Sequence, residues 1–386
     1  MNNFDFYNPT HIVFGKDRLA DLDKLVPADA RVLVTYGGGS VKKFGTLDKV
    51  LAGLKNRTVF EFGGIEPNPQ YNTLMKAVEI VKNEKIDFLL AVGGGSVMDG
   101  TKFIALANAY TGDAKDILVS KNKYNLDITE AITLGTVCTL PATGSEMNCG
   151  GVVCVEDAKL SFRNLLVFPK FSFVDPELTM SLPDTQVANG IIDTFIHVCE
   201  QYVTYPAEGR FQDRTAEGIL QTLIEVGPKT LANKTNYDMR ANLVWCATMG
   251  LNGLIGSGVP QDWSCHMIGH ELTAMFAIDH AKTLAILQPA IWTVRLEKKK
   301  AKLAQFAERV WNITEGTDEE RSILAISKTR NFFESLGVKT RLSDYNIKEE
   351  QIEDIVKALE NHGMVTLSET GDLTPSVSRE ILKEAF

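Results

Sequence analysis

Four of the six histidines in this chain, His197, His266, His270 and His280, fall between positions 197 and 280. Asp193 and His197 stand at i and i+4, as do His266 and His270. On helices each pair shares a face. Neutral imidazoles joined by one carboxylate suit a borderline divalent ion such as Zn²⁺ or Fe²⁺. One such pair is more often a hydrogen bond than a site, but two pairs and a further histidine shift the balance. The neighbouring Gly190-Ile191-Ile192 and the run 250–258 are apolar or small. Ionisable groups packed among them need partners. Five side chains compete for four places. Asp193, His197, His266 and His280 form a closed protein set that can still admit a carbonyl oxygen as a fifth ligand. His270 is then a nearby imidazole off the metal. Glu200, three residues beyond His197, is a weaker alternative ligand and reads better as a helix ion-pair partner. Cys265 adjoins His266, but sequence neighbours on a helix point different ways.

A second chemistry sits in the first half. Gly93-Gly94-Gly95-Ser96 follows the apolar run 88–92 and opens a helical stretch, 96–109. Glycines let a ligand approach the backbone, and the free N–H groups of a helix start favour an anion such as a pyrophosphate. The usual GxGxxG fingerprint is absent. Another turn, Gly37-Gly38-Gly39-Ser40, ends the run 31–36. Parallel strands put both turns on one sheet edge, where such sheets bind ligands. The run from Thr139 through Thr143 to Glu146 is rich in hydroxyls and small residues, and offers contacts to ribose or phosphate. No carboxylate follows the first of these strands; Ser40, Lys42 and Lys43 do. A carboxylate there would hold a ribose 2′-hydroxyl and repel a 2′-phosphate, so the composition favours NADP over NAD.

The elements that must carry these residues follow from pattern. The apolar runs 31–36, 58–62, 88–92, 134–140 and 171–175, with a helical stretch 72–83 between two of them, have the rhythm of a parallel sheet covered by helices. The run 171–175 is expected to close it. Past Leu182-Pro183 strand signals almost vanish. Apolar-periodic segments at 184–204, 210–226, 237–255, 260–276, 281–295, 299–313, 318–335 and 348–361 take over, punctuated by Gly227-Pro228 and Gly258-Val259-Pro260. The expected organisation is an α/β dinucleotide-binding domain over 1–182 and an all-helical metal-binding domain over 183–386.

A composition of 44% hydrophobic and 23% charged residues is that of a globular protein able to build a core. The net charge of -9 argues against nucleic acid or an anionic membrane as partner. The densest basic run, Glu297-Lys298-Lys299-Lys300, reads as a solvated helix face. No basic start precedes an apolar stretch at the N-terminus, and no run of about 18 apolar residues occurs. Six scattered cysteines without a CxxC pair read as reduced thiols of a cytoplasmic protein.

Taken together, these stretches resemble the iron-containing (group III) alcohol dehydrogenases, and within them the NADPH-dependent butanol dehydrogenase and aldehyde reductase branch. The matching segments are 36–43, 62–69, 93–102, 140–146, 187–201 and 253–280, in order along nearly the whole chain. The resemblance implies a Rossmann-like α/β nucleotide domain and a helical domain, a dehydroquinate synthase-like fold, with the active site in the cleft between them. It implies Asp193, His197, His266 and His280 as ligands of one divalent metal, Fe²⁺ or Zn²⁺, with His270 near the nicotinamide. It implies Gly94, Gly95 and Ser96 at the pyrophosphate and Asp99 beside the nicotinamide ribose. Thr139, Thr143 and Lys159 fall on the remaining cofactor contacts. Members preferring NAD carry Asp near position 37; Gly37, with Gly38, Gly39 and Ser40, goes with NADP(H). The turn at Leu140–Glu146 is shorter than in many relatives and has the form of the butanol dehydrogenase branch. The implied activity is aldehyde reduction and alcohol oxidation on small aliphatic substrates such as butanal and butanol, by a homodimer. An NAD-linked, glycerol-type polyol dehydrogenase shares fold and metal site. A dehydroquinate synthase-type lyase would need basic residues for a phosphorylated acid, and 250–280 contains neither Arg nor Lys.

Overall fold

The computed structural model describes residues 1–119, 126–156 and 158–386. They divide into two compact units: Tyr7–Leu182, and Pro183–Phe386 together with Met1–Phe6.

The first unit is built on six strands, β1 (His11–Phe14), β2 (Arg31–Tyr36), β3 (Thr58–Phe62), β4 (Phe88–Gly94), β5 (Thr133–Leu140) and, after a hairpin, β8 (Phe171–Val174). Their order is β1-β8-β5-β4-β2-β3 and every pairing is parallel. Alternation sorts the strand side chains onto two faces. Leu33, Leu89, Ala91 and Leu134 join one core, under helices α2 (Tyr71–Asn83) and α3 (Gly95–Ala109). Val32, Val34, Leu90, Val92 and Val137 join the other, with Leu47 and Val50 of α1 (Thr46–Gly53). Two buried faces explain why these strands read as unbroken apolar runs.

Two features differ from the sequence expectation. The run 171–175 does not close the sheet: β8 lies inside it, wholly buried, and β1 forms the edge. β1 has four residues, too few for a period to show. An antiparallel hairpin, β6 (Gly150–Val155) and β7 (Ala158–Arg163), packs against α3 with Val153 and Phe162 in its core. Its partly polar strands gave no clean alternation.

The second unit is helical: α4 (Asp184–Tyr202), α5 (Arg210–Ala232), α6 (Tyr237–Gly250), α7 (Ser264–Phe276), α8 (His280–Val294), α9 (Leu296–Trp311), α10 (Asp318–Ser335), α11 (Ile352–Asn361) and α12 (Pro375–Glu384). From Ala281 to Trp292, α8 is buried almost all round, as expected of a central helix. Phe195, Phe306, Phe332 and Phe333 pack edge-to-face or tilted around α4 at 5.5–6.4 Å. Gly227-Pro228 does not end α5, which runs through to Ala232. A Cβ at Gly227 would stand 3.3 Å from Ile191, so this glycine serves a close crossing with α4 rather than a stop. α12, whose proline sits at the first turn, lay outside the periodic segments. The first six residues, counted with the sheet half in the sequence reading, belong to the helical unit; Asn2 N donates to Gly258 O at 2.8 Å. Among the described residues no helix is long and apolar enough to cross a membrane.

Candidate metal centre and nucleotide turns

Helical spacing delivers the metal candidates to one place. α4 carries Asp193 and His197, α7 carries His266 and His270, and His280 is the first residue of α8. Only three residues join α7 to α8, and Ala277 takes the left-handed conformation (φ 54°) to turn the chain. Asp193 Oδ1 is the hub. It lies 3.6 Å from His197 Nδ1, 3.7 Å from His266 Nε2 and 3.8 Å from His280 Nε2. These separations exceed a hydrogen bond. Donors held by one tetrahedral ion at about 2.0–2.2 Å stand about 3.3–3.6 Å apart, so the spacing is close to that of a coordination shell. Donor atoms of Asp193, His266 and His280 all lie within 4.8 Å of one another. His197 reaches the group through Asp193 and by stacking on His266, with ring centroids 4.5 Å apart at 24°.

The chemistry of the pocket fits a cation. His266 Nε2 is buried and makes no hydrogen bond. Burial pulls the His266 imidazole down, yet the charges of Glu200 and Asp193 and the hydrogen bond between Nδ1 and Glu200 carry it up to about 9. A site that favours positive charge this strongly while leaving a ring nitrogen unused suits a divalent ion. His270 is buried too, 5.5 Å from His280 and 6.4 Å from His266 between ring centroids, and stands outside the close donor set. Trp263, immediately before α7, lies 5.5 Å from the His266 ring. Cys265 Sγ points at Leu284 O, 3.6 Å away, and burial pushes its thiol well up.

Glu200 stands outside the close donor set, and it pairs with a histidine of another helix rather than along its own, as the ion-pair reading had it. It is 3% exposed, its Oε1 accepts from His266 N at 3.2 Å, and its Oε2 pairs with His266 Nδ1. The signal was available: 193, 197 and 200 follow i, i+4, i+7 along one face. The basic run also needs correction. Lys299 is 2% exposed and bonded to Asp262, Glu369 and the Val203 carbonyl, so it is not part of a solvated face. Lys299, Leu303, Phe306 and Val310 lie on the buried stripe of α9. That periodicity, rather than the local charge density, held the information.

In the sheet unit both glycine turns lie at the C-terminal ends of adjacent strands, β2 and β4. They differ in what surrounds them. A Cβ at Gly38 or Gly39 would meet nothing within 4 Å, and Gly39 has φ 108°. At Gly37 it would stand 3.2 Å from Ile65 O. At Gly94 it would meet Leu140 Cβ at 3.0 Å, and at Gly95 Thr143 Oγ1 at 2.6 Å. The second turn is therefore glycine partly because the 140–143 loop packs on it. Ser40 starts a one-turn helix, Ser40–Lys43. Lys42 Nζ sits 3.4 Å from Glu61 and 4.9 Å from the centre of the Tyr36 ring. Ser96 Oγ accepts from Asn68 N at 3.3 Å.

Asp99, on α3, binds the protein itself: Oδ1 accepts from Ser145 Oγ at 2.6 Å and Oδ2 from Val152 N at 3.0 Å. Burial raises its carboxyl despite Lys102 nearby. Lys102, fully buried, donates to Ser145 Oγ (2.8 Å), Asn148 Oδ1 (3.0 Å) and Gly150 O (2.9 Å). Burial pulls its ammonium down to about 8 against the attraction of Asp99. Thr139 lies at the end of β5 and Thr143 Oγ1 accepts from Ser145 N at 3.2 Å. Lys159, on β7 opposite Cys154, adds positive potential at Asp99. Asp99, Thr143 and Lys159 thus share one neighbourhood at the β4 turn, while Gly37 to Ser40 form a separate stretch on β2.

Comparison with known proteins defines the class. Residues 9–176 match the iron-containing alcohol dehydrogenase model, and 187–372 match the C-terminal model of the Fe-containing alcohol dehydrogenase family. The chain belongs to the iron-containing alcohol dehydrogenase family. Within it, the chain is 57% identical, over the full length of both proteins, to the NADPH-dependent aldehyde reductase YqhD of Escherichia coli K12. The crystal structure of that protein superposes with a TM-score of 0.97, covering 100% of this chain and 99% of the other. A probable NADH-dependent butanol dehydrogenase of Bacillus subtilis is 42% identical over 94% of each chain.

Proposed function

We propose that this protein is a metal-dependent, NADP(H)-linked aldehyde reductase and alcohol dehydrogenase acting on aliphatic aldehydes and primary alcohols such as butanal and butanol. As a member of the iron-containing alcohol dehydrogenase family the protein is an oxidoreductase. The observation that carries the reading is the convergence of three imidazole nitrogens on Asp193 Oδ1 at 3.6–3.8 Å. The similarity to YqhD supports the direction and the cofactor.

In this reading the sheet unit, Tyr7–Leu182, binds the dinucleotide and the helical unit would hold the metal, Fe²⁺ or Zn²⁺, through Asp193, His197, His266 and His280. Held there, the ion would supply Lewis acidity at a carbonyl oxygen, and a reduced nicotinamide would supply the hydride for its carbon. Glu200 holds His266 so that Nε2 is its ligating atom. His270 carries, on its ring nitrogen, the proton for the product oxygen. The N–H groups of Gly94, Gly95 and Ser96 take the pyrophosphate at the start of α3. Asp99 accepts a ribose hydroxyl in addition to Ser145 and Val152, since a carboxylate has about four acceptor sites. Thr139, Thr143 and Lys159 line the same cofactor. Gly37, Gly38, Gly39 and Ser40, with no carboxylate among them, receive the 2′-phosphate. We place the enzyme in the cytoplasm, with its cysteines reduced, and read it as a homodimer; the edge strand β1 is the kind of strand that a second copy covers.

Asp193→Ala is expected to remove metal and turnover together, read by metal analysis and by NADPH absorbance with butanal. Full turnover from a metal-free Asp193→Ala protein would overturn the proposal. Faster glycerol oxidation with NAD than butanal reduction with NADPH would move the assignment to a polyol dehydrogenase.

A further inference from the structure

A buried ionic chain lies behind His266, and the proposed reaction makes no use of its far end. Glu200 engages His266 at both the backbone N–H and Nδ1. A carboxylate at Nδ1 fixes the tautomer and turns Nε2 toward Asp193. The Glu200 carbonyl in turn accepts from Asp262 N at 2.8 Å. Asp262, 4% exposed, binds Ser264 N at 2.9 Å through Oδ1, at the first residue of α7, and also accepts from Ser264 Oγ. Its other oxygen, Oδ2, meets Lys299 Nζ at 2.9 Å. Lys299 donates as well to Glu369 Oε1 and to Val203 O, each at 2.9 Å. One ammonium thereby ties together the residue after α4, the residue two before α7 and a segment more than 100 positions later.

Two of the three helices that supply metal candidates, α4 and α7, have an end on this knot. A buried charge is held only where its partners are fixed, so Lys299 converts two helix ends into one rigid mount. We infer that Lys299, with Asp262 and Glu369, is a positioning element that acts through Glu200 to keep His266 Nε2 facing the ion, and so sets how long the metal is retained. The inference rests on the metal reading proposed above.

The test is the rate of metal loss from the full-length, metal-loaded protein to excess EDTA, followed by released metal and by circular dichroism to confirm the fold, well below the melting temperature. Removing a partner that orients a ligand typically costs 10–100-fold in metal affinity. Glu200→Gln and Lys299→Met are expected to lose metal on the order of 10-fold faster or more, and Glu369→Gln on the order of 3-fold faster. Lys299→Arg, which keeps the charge, is expected to recover most of the retention. Lys302→Met is the control: Lys302 is also buried on α9, but its carboxylate partner is Asp213 of α5, at 2.7 Å, and not Asp262 or Glu369. It is expected to stay within about 2-fold of the parent rate. Wild-type rates in Glu200→Gln and Glu369→Gln, or equal acceleration in Lys302→Met, overturn the inference even if Lys299→Met fails to fold. A parent protein that takes up no stoichiometric metal overturns the metal reading instead.

Discussion

Each unit of this protein buries a lysine beneath its candidate site, and the two are neutralised in opposite ways. Lys102, under the nucleotide turn, is wrapped by a hydroxyl, an amide oxygen and a backbone carbonyl, with Asp99 nearby. Lys299, behind the metal candidates, is clamped directly by two carboxylates, Asp262 and Glu369. Neutral acceptors satisfy an ammonium's protons without cancelling its charge, so burial wins and Lys102 titrates near 8. Two carboxylates compensate the charge itself. The first arrangement can change its charge state within the working range of an enzyme; the second ties carboxylates from two distant segments to one point.

The sharpest way to break the comparison is to delete each ammonium. Lys299→Met strands two buried carboxylates and is expected to cost about 3–5 kcal/mol. Lys102→Met leaves neutral acceptors unpaired beside one carboxylate and is expected to cost about 1–3 kcal/mol. Urea denaturation of both variants checks the order, and a larger loss in Lys102→Met would reverse the argument.

A pH series sharpens it. Folded Lys102 titrates near 8 and the unfolded residue near 10.5. Between those values the unfolded chain binds the extra proton, so the contribution of this residue to stability rises with pH and is lost as pH falls through 8. From pH 7.5 to 9.5 the stability of the parent relative to Lys102→Met should rise by about 1–2 kcal/mol. A difference that shrinks over this range would show that Lys102 is not held neutral-leaning by burial.

The smallest expected effect separates the two glycine turns. Gly95→Ala drives a Cβ into Thr143 and should lower both stability and NADPH affinity, whereas Gly38→Ala enters open space and should spare the fold. Melting temperatures and NADPH KM for the two variants read this directly. A destabilised Gly38→Ala protein with normal cofactor binding would remove that turn from the candidate site.

What could be read from the sequence followed the strength of the period. Asp193 with His197, and His266 with His270, stood out as two i, i+4 pairs in a chain of only six histidines, with His280 fourteen residues after His266; setting His270 apart from the ligands followed from the resemblance. The parallel sheet was legible in its apolar runs, but β1 was too short and β6–β7 too polar to register. Glu200 and Lys299 were misread for one reason. A charged side chain was judged by its neighbours in sequence, whereas its partners, Asp262 for Lys299 and His266 for Glu200, come from other helices or loops. Long-range ion pairs leave no local trace beyond the buried stripe on which they sit.

The sheet order has a consequence in time. β1, near the front of the chain, pairs only with β8, at residues 171–174, and Asn2 is fastened to Gly258. At about 5–20 residues per second, the ribosome needs roughly 8–30 s to reach β8 after making β1, and longer still to reach Gly258. The first strand synthesised is therefore among the last to be seated, and it emerges as a bare edge that must be kept from the wrong neighbour while its place is still being made.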